Sequence, residues 1–299
     1  MKKSKKFILL DIIYLLLVAA GPLFAILLKV LFTPVSEDIN ISGALVFFTV
    51  KLPFWDLPVS ETQVNSFVVI WSLFWLCRYI THGISVRGGL KRQIVAEWVV
   101  EKTRSLTTAN MGEYFYGFAP FVAAIMGLSA FSSLLTLIGL YPPTSDINTV
   151  GGWAILVFFL ITYYKMKCGP VHYIKSFGDP VPLLAPLNII SEVATPVSMA
   201  FRHYGNVLSG SVISVLLATA LQGLSSIIFG NLPGMLGEIP FLQVGVPAVL
   251  SVYFDVFSGL LQAFIFAMLT MLYVSGAFPA EDYAARKAAR RAKRAEKVN

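Results

Sequence analysis

Residues 186–210 read PLNIISEVATPVSMAFRHYGNVLSG, and they set Glu192, Arg202 and Asn206 inside a run otherwise apolar enough to lie in a membrane. An arginine at the centre of a spanning helix costs roughly 2.5 to 3.5 kcal/mol, so such residues tend to mark ion pathways or binding sites. The rest of the sequence is therefore read by asking what Arg202 faces.

Working outward, 57% of the 299 residues are hydrophobic and only 13% are charged, and the mean hydropathy is +0.74. That is far from a soluble domain of this length. Long apolar runs with few charges, and no alternation of the barrel kind, predict an all-α integral membrane protein whose backbone groups are satisfied within each helix. The net charge of +7 does not point to nucleic acid, because the basic residues cluster beside apolar segments. Cys77 and Cys168 have no metal-ligand spacing and read as reduced thiols.

Six membrane segments are expected, at about 7–32, 63–86, 118–140, 150–166, 183–229 and 240–278, on the criterion of roughly 20 apolar residues per crossing. The last two are too long for a simple crossing, so they must tilt strongly, kink or include a non-spanning portion, with Pro196, Gly205 and Pro247 as candidate bends. A cleaved leader is the alternative reading of the first segment. Lys29 near its far end reads as snorkelling to the interface and Asp11 as lying near the other one, with Arg78 of the second segment also snorkelling. Residues 33–62 carry Glu37, Asp38, Asp56 and Glu61 against Lys51 and read as an outside loop. Residues 87–117 set Ile94, Val95, Trp98 and Val99 among five basic residues, which predicts an amphipathic helix on the inner surface. The turn YPPTSDIN at 141–148 carries Asp146 and no basic residue, so it reads as outside. Counted over these segments, 19 of 23 Lys and Arg fall inside, which puts both termini in the cytoplasm. The division expected is an extra span and external loop at 1–62, a core at 63–279, and a basic tail at 280–299.

On an ideal helix each residue advances about 100°. With Glu192 at zero, Asn188, Ser191, Thr195, Ser198, Arg202, Asn206 and Ser209 join it within roughly one third of the circumference. Counted from Gln262, Ser258, Asp255 and Ser251 form a second, narrow polar stripe within about 40° of it. Interhelical hydrogen bonding would explain the serines, at about 0.6 kcal/mol per contact. It does not explain an Arg, a Glu, an Asp, an Asn and a Gln together; a proton or ion route does. A buried Arg202–Asp255 pair is a further possibility, though such a pair would serve stability poorly.

The segments PLNIISE, SMAFRHYGN and GLLQAFIFAMLTMLYVS, in that order, resemble the two signature helices of subunit a of F-type ATP synthases, and PPTSDIN is similar to a turn of that family. The resemblance spans about residues 45–278. It implies a stator in a bacterial plasma membrane, facing a ring of c subunits, attached to the subunit b peripheral stalk and the remaining ATP synthase subunits, and in contact with lipid. It implies no cofactor or metal of its own. Arg202 would separate two aqueous half-channels, with Asn206 and Gln262 beside it. Glu192 would belong to the cytoplasmic half-channel, Asp255 to the external one and Asp146 to the external entrance, with Ser258 also on the ion pathway. Ser211 stands where relatives often have glutamate, Asp255 where histidine or glutamate is found, Thr195 where lysine is common, and His203 where an aliphatic residue is usual. For His203, a local hydrogen-bonding role and simple tolerance both stay open. The other classes are a secondary transporter or channel with an intramembrane Arg/Asp site, and an intramembrane hydrolase, for which the nucleophile and metal motifs are missing. There is no G-x-x-x-x-G-K-S/T, so nucleotide chemistry would belong to partner subunits.

Overall fold

The computed structural model describes residues 5–33, 44–53, 56–86, 90–178, 181–230, 252–281 and 283–288, with isolated positions between 242 and 250; the side chains of His172 and Asp255 lie outside that description. Eight α-helices carry the described chain: α1 Lys5–Phe32, α2 Glu61–Thr81, α3 Lys91–Met111, α4 Ala119–Leu134, α5 Ile147–Lys165, α6 Pro170–Ser176, α7 Ala185–Phe229 and α8 Gly259–Gly276. Short 3₁₀ turns extend α4 and α5, and a π-helical segment, Val252–Ser258, leads into α8. Six of these stretches are long and apolar enough to cross a membrane, which makes this an all-α, multi-pass membrane protein.

α1 packs along α2. Gly21 lets the two helices approach, since a Cβ there would sit 3.2 Å from both Ser72 Oγ and Trp71 Cδ1. Pro22 lacks the N–H that would bond the Val18 carbonyl four residues back, and Ser72 Oγ on α2 donates to that carbonyl at 3.2 Å instead. At one end of this pair Lys29 Nζ meets Glu61 Oε1 at 3.1 Å and also donates to the Gly139 carbonyl. At the other, Asp11 accepts from Arg92 at 2.6 Å and faces His82 at 3.0 Å. Lys29 and Asp11 thus clamp the two ends of the helix pair. Arg78 is exposed and sits over the Tyr14 ring, in keeping with a structural part.

The loop before α2 folds into an antiparallel hairpin that hydropathy did not foresee, β1 Val46–Lys51 against β2 Asp56–Ser60, with a bulge between Val46 and Phe48. α3 occupies the middle of the segment read as amphipathic. It turns Ile94, Val95, Trp98 and Val99 outward and buries Gln93, Thr107 and Met111 against its neighbours. That inverted pattern suits a helix lying against lipid.

The main core joins α4, α5, α7 and α8 through Val122, Ile125, Val157, Met199, Phe266 and Met271. Gly259 makes the α4–α8 crossing close, because a Cβ there would fall 2.4 Å from Ser133 Cβ. Both cysteines are free, Cys168 buried and Cys77 exposed. The tail beyond residue 288, like Pro247, lies outside the described residues.

Candidate functional site

α7 is one α-helix of 45 residues with Pro196 inside it, so the 100° step holds along the whole polar stripe. Pro196, Met199, Ala200, His203 and Gly210 form the buried edge, toward the core. Ser191, Ser198, Arg202, Asn206 and Ser209 lie beside that edge and are exposed. Arg202 makes no hydrogen bond or ion pair with any described residue. One turn further on, Asn206 Nδ2 donates to Gln262 Oε1 at 2.8 Å, and Gln262 is only 3% exposed. The two stripes therefore do meet, and they meet through these amides.

The π-helical segment carries Asp255 and Ser258. Its wider turn breaks the 100° arithmetic, so the second stripe holds as counted only from Gly259 onward. Ser258 is half-buried, and the Asp255 side chain lies outside the described residues.

At the start of α7, Glu192 is engaged within the chain. Its side chain is 5% exposed, Lys165 Nζ lies 3.0 Å from Oε2, and Tyr173 OH donates to Oε1 at 3.1 Å. Burial, and then the Glu192 carboxylate beside it, push the Tyr173 phenol up, so it remains a donor. Glu192 and Lys165 line a cavity of about 400 Å³ together with polar Ser176, Asn188, Ser191, Thr195 and Tyr273 and apolar Ile161, Phe177 and Leu272. A cavity of that size with these polar groups accommodates several waters.

Asp146 does structural work. It caps α5 by accepting from Asn148 N–H at 2.9 Å, and its other oxygen accepts from Thr62 Oγ1 at 2.6 Å. Neighbouring Glu61, 2% exposed, accepts the Tyr141 N–H at 3.0 Å as well as Lys29. Burial raises the Tyr141 phenol, with Tyr204, Asp146 and Glu61 adding to the effect. The 141–148 turn is in this way tied to α1 and α2.

His203 is fully buried. Ser129 Oγ lies 3.3 Å from its Nε2, and the rings of Trp153 and Phe266 stand edge-on at 5.9 and 5.3 Å. Of the two readings open for this residue, the structure provides the hydrogen-bonding contact. Lys165, Tyr173 and Ser129 are the site neighbours that sequence reasoning missed. Lys165 was visible as the charge ending the fourth span, but nothing local linked it to Glu192.

Against known proteins, the family profile described as ATP synthase A chain matches residues 62–275. The chain belongs to this family. Curated relatives named ATP synthase subunit a come from Desulforamulus reducens, 31% identical over 81% of this chain and 89% of that protein; from Bacillus pumilus, 34% over 65% and 82%; and from Trichlorobacter lovleyi, 30% over 78% and 94%. The family match begins at the first turn of α2 and ends in α8, so it takes in Glu192, Arg202, Asn206, Asp255, Ser258 and Gln262 and leaves out α1 and the basic tail.

Proposed function

We propose that this chain is the stator subunit a of a rotary F-type ATP synthase, and that Arg202 separates two aqueous half-channels serving an ion-carrying carboxylate on a ring of c subunits. One observation carries the reading. In a membrane-spanning helix, Arg202 stands exposed with no partner among the described residues, at the centre of an exposed polar face. Left facing lipid, a guanidinium there is costly. A second subunit bringing a carboxylate to it removes the cost.

The electrostatics fit a moving partner. A rotor carboxylate is neutral against lipid and ionises only near water or Arg202, and the arginine stays charged at any working pH. An ion pair at about 4 Å is worth about 4 kcal/mol at an effective dielectric of 20, whereas one charge moved through 100 mV yields about 2.3 kcal/mol. The contact must stay partly hydrated for rotation to continue, and the exposed Ser198, Asn206 and Ser209 supply polar surface for that water.

In this scheme Glu192 and its cavity belong to the cytoplasmic half-channel, and Asp255 and Ser258 to the external one. Asp146 anchors the external turn, since both of its oxygens are engaged. Both termini are cytoplasmic, the membrane is the bacterial plasma membrane, and the subunit b stalk holds the chain against the ring. The division into an added span and loop at 1–62, a core at 63–279 and a tail at 280–299 is supported by the extent of the family match. Nucleotide chemistry lies on other subunits. The test is Arg202→Ala in the assembled complex: coupled ATP synthesis should be abolished, and normal synthesis would sink the assignment.

A further inference from the structure

One buried polar group near Arg202 has no part in the scheme above. His203 follows Arg202 but points into the protein, and its Nδ1 has no partner among the described residues. Buried polar atoms are rarely left without a partner unless water or function uses them. Among the described residues no charged side chain lies against the ring; Ser129 of α4 meets it at Nε2, and Trp153 of α5 and Phe266 of α8 wall it in.

Between Ser129 and the 141–148 turn lie further buried hydroxyls, those of Ser132, Ser133 and Thr144. Ser133 Oγ donates to the Ser129 carbonyl at 3.3 Å. Ser132 Oγ donates to Thr144 Oγ1 at 3.3 Å and accepts the Thr144 N–H at 3.2 Å. Next to Thr144, Ser145 is 4% exposed and its Oγ again has no partner among the described residues. Ser129, Ser132, Ser133 and Thr144 are each between 0 and 3% exposed. The file thus has a partnerless buried polar atom at both ends, one under the outer turn and one beside Arg202. An apolar seam between α4 and α7 would need neither.

We propose that this file, from Ser145 through Ser132 and Ser129 to His203, is a proton path from the external side in this chain, with His203 as its last relay before the Arg202 site. The inference rests on the half-channel reading of Arg202. Hydroxyls and intervening water pass a proton toward the imidazole. The ring takes it up at one nitrogen and gives up a proton from the other, so that it returns to the neutral form and no net charge stays in the core. His203 then supplies a titratable group at the position next to Arg202.

The test uses assembled complexes carrying His203→Gln, His203→Leu or Ser129→Ala, in membrane vesicles, with co-purification of the other subunits confirming assembly. ATP synthesis driven by an imposed proton gradient and passive proton conduction after removal of the soluble ATPase head are measured. Glutamine keeps the size and hydrogen-bonding capacity of the ring but cannot relay, so both His203 variants should lose at least roughly tenfold in each assay, and Ser129→Ala should lose activity in the same direction. Wild-type conduction in His203→Gln would overturn the relay and leave His203 a packing residue. If the His203 variants do not assemble, Ser129→Ala decides: reduced conduction supports the path and unchanged conduction overturns it. Arg202→Ala, run in parallel, separates this inference from its parent. Lost coupling there with normal His203→Gln and Ser129→Ala overturns the path alone, whereas retained coupling there overturns the separator reading itself.

Discussion

Gly259→Ala offers a test of how tightly the site is held by the helices behind it. The added Cβ would lie 2.4 Å from Ser133 Cβ and 2.5 Å from Ser133 Oγ. Carbon atoms sit comfortably at about 3.5 to 4.0 Å, so α4 and α8 must part by about 1 Å, or the two side chains must be driven from their rotamers. Overpacking of this kind costs about 1 to 3 kcal/mol. Gln262 lies one turn beyond Gly259 on α8, and its hydrogen bond with Asn206 is 2.8 Å long. A displacement of about 1 Å carries that bond past the usual limit of about 3.2 Å and loosens the anchor beside Arg202. Misplacement on this scale can lower a rate by up to roughly a hundredfold. The assay is gradient-driven ATP synthesis at matched amounts of complex, with the temperature of heat inactivation measured on the same samples. Gly259→Ala should lose on both, and Ser133→Gly in the same chain should recover much of the loss relative to Ser133→Gly alone. Wild-type behaviour of the single variant, or a double variant no better than the single, would refute the reasoning.

Two more outcomes follow from pairs seen in the structure. Lys29→Met leaves Glu61 buried without its cation, and after discounting for an ammonium that is 33% exposed, the cost is about 2 to 3 kcal/mol. Heat inactivation should come at a lower temperature, and Glu61→Gln added to Lys29→Met should restore part of it; simple additivity would count against the pair. Glu192→Gln keeps the size of the side chain but not its proton chemistry, so ATP synthesis should fall by roughly tenfold or more with assembly intact. Lys165→Met should harm assembly more in the presence of Glu192 than beside Glu192→Gln, checked by the yield of purified complex.

The spans were legible in the sequence because lipid imposes one rule on every segment: backbone groups must be satisfied inside a long apolar helix. The polar face of α7 was legible for a related reason. One uninterrupted α-helix keeps its angular register over 45 residues, so counting from Glu192 to Ser209 works. Ahead of Gly259 the 100° step does not apply, because the segment is π-helical and composition does not distinguish that from an α-helix. Lys29 was not linked to Glu61 in the sequence reading. Their pairing depends on the packing of α1 on α2, which the Gly21 contact and the Pro22 carbonyl decide and hydropathy does not. Asp146 had a local signal that went unused: an aspartate just ahead of an apolar run is a preferred helix cap. The hairpin was missed because its two short strands, one containing Pro58, carry little alternation. His203 could be singled out by type, but only the tertiary structure reveals Ser129 beside it.

The way this chain treats its other membrane charges bears on what Arg202 is for. Asp11, Lys29, Glu61, Lys165 and Glu192 each find an opposite charge on a neighbouring element. The fold is therefore able to pair a buried charge when stability requires it. Arg202 is left out of that pairing among the described residues, yet its surroundings are held firmly: Asn206 is fixed to Gln262, His203 is locked in the core, and Met199 and Ala200 pack beneath. The result is a guanidinium with its five N–H donors unspent on a rigid base. An arginine already paired within the chain would have to break that pair for every carboxylate that passed, at a cost greater than the roughly 2.3 kcal/mol that 100 mV supplies per charge. Donors fixed in place and kept free carry no such reorganisation cost, which is what the proposed scheme requires of a stationary arginine whose partner arrives and leaves with each step.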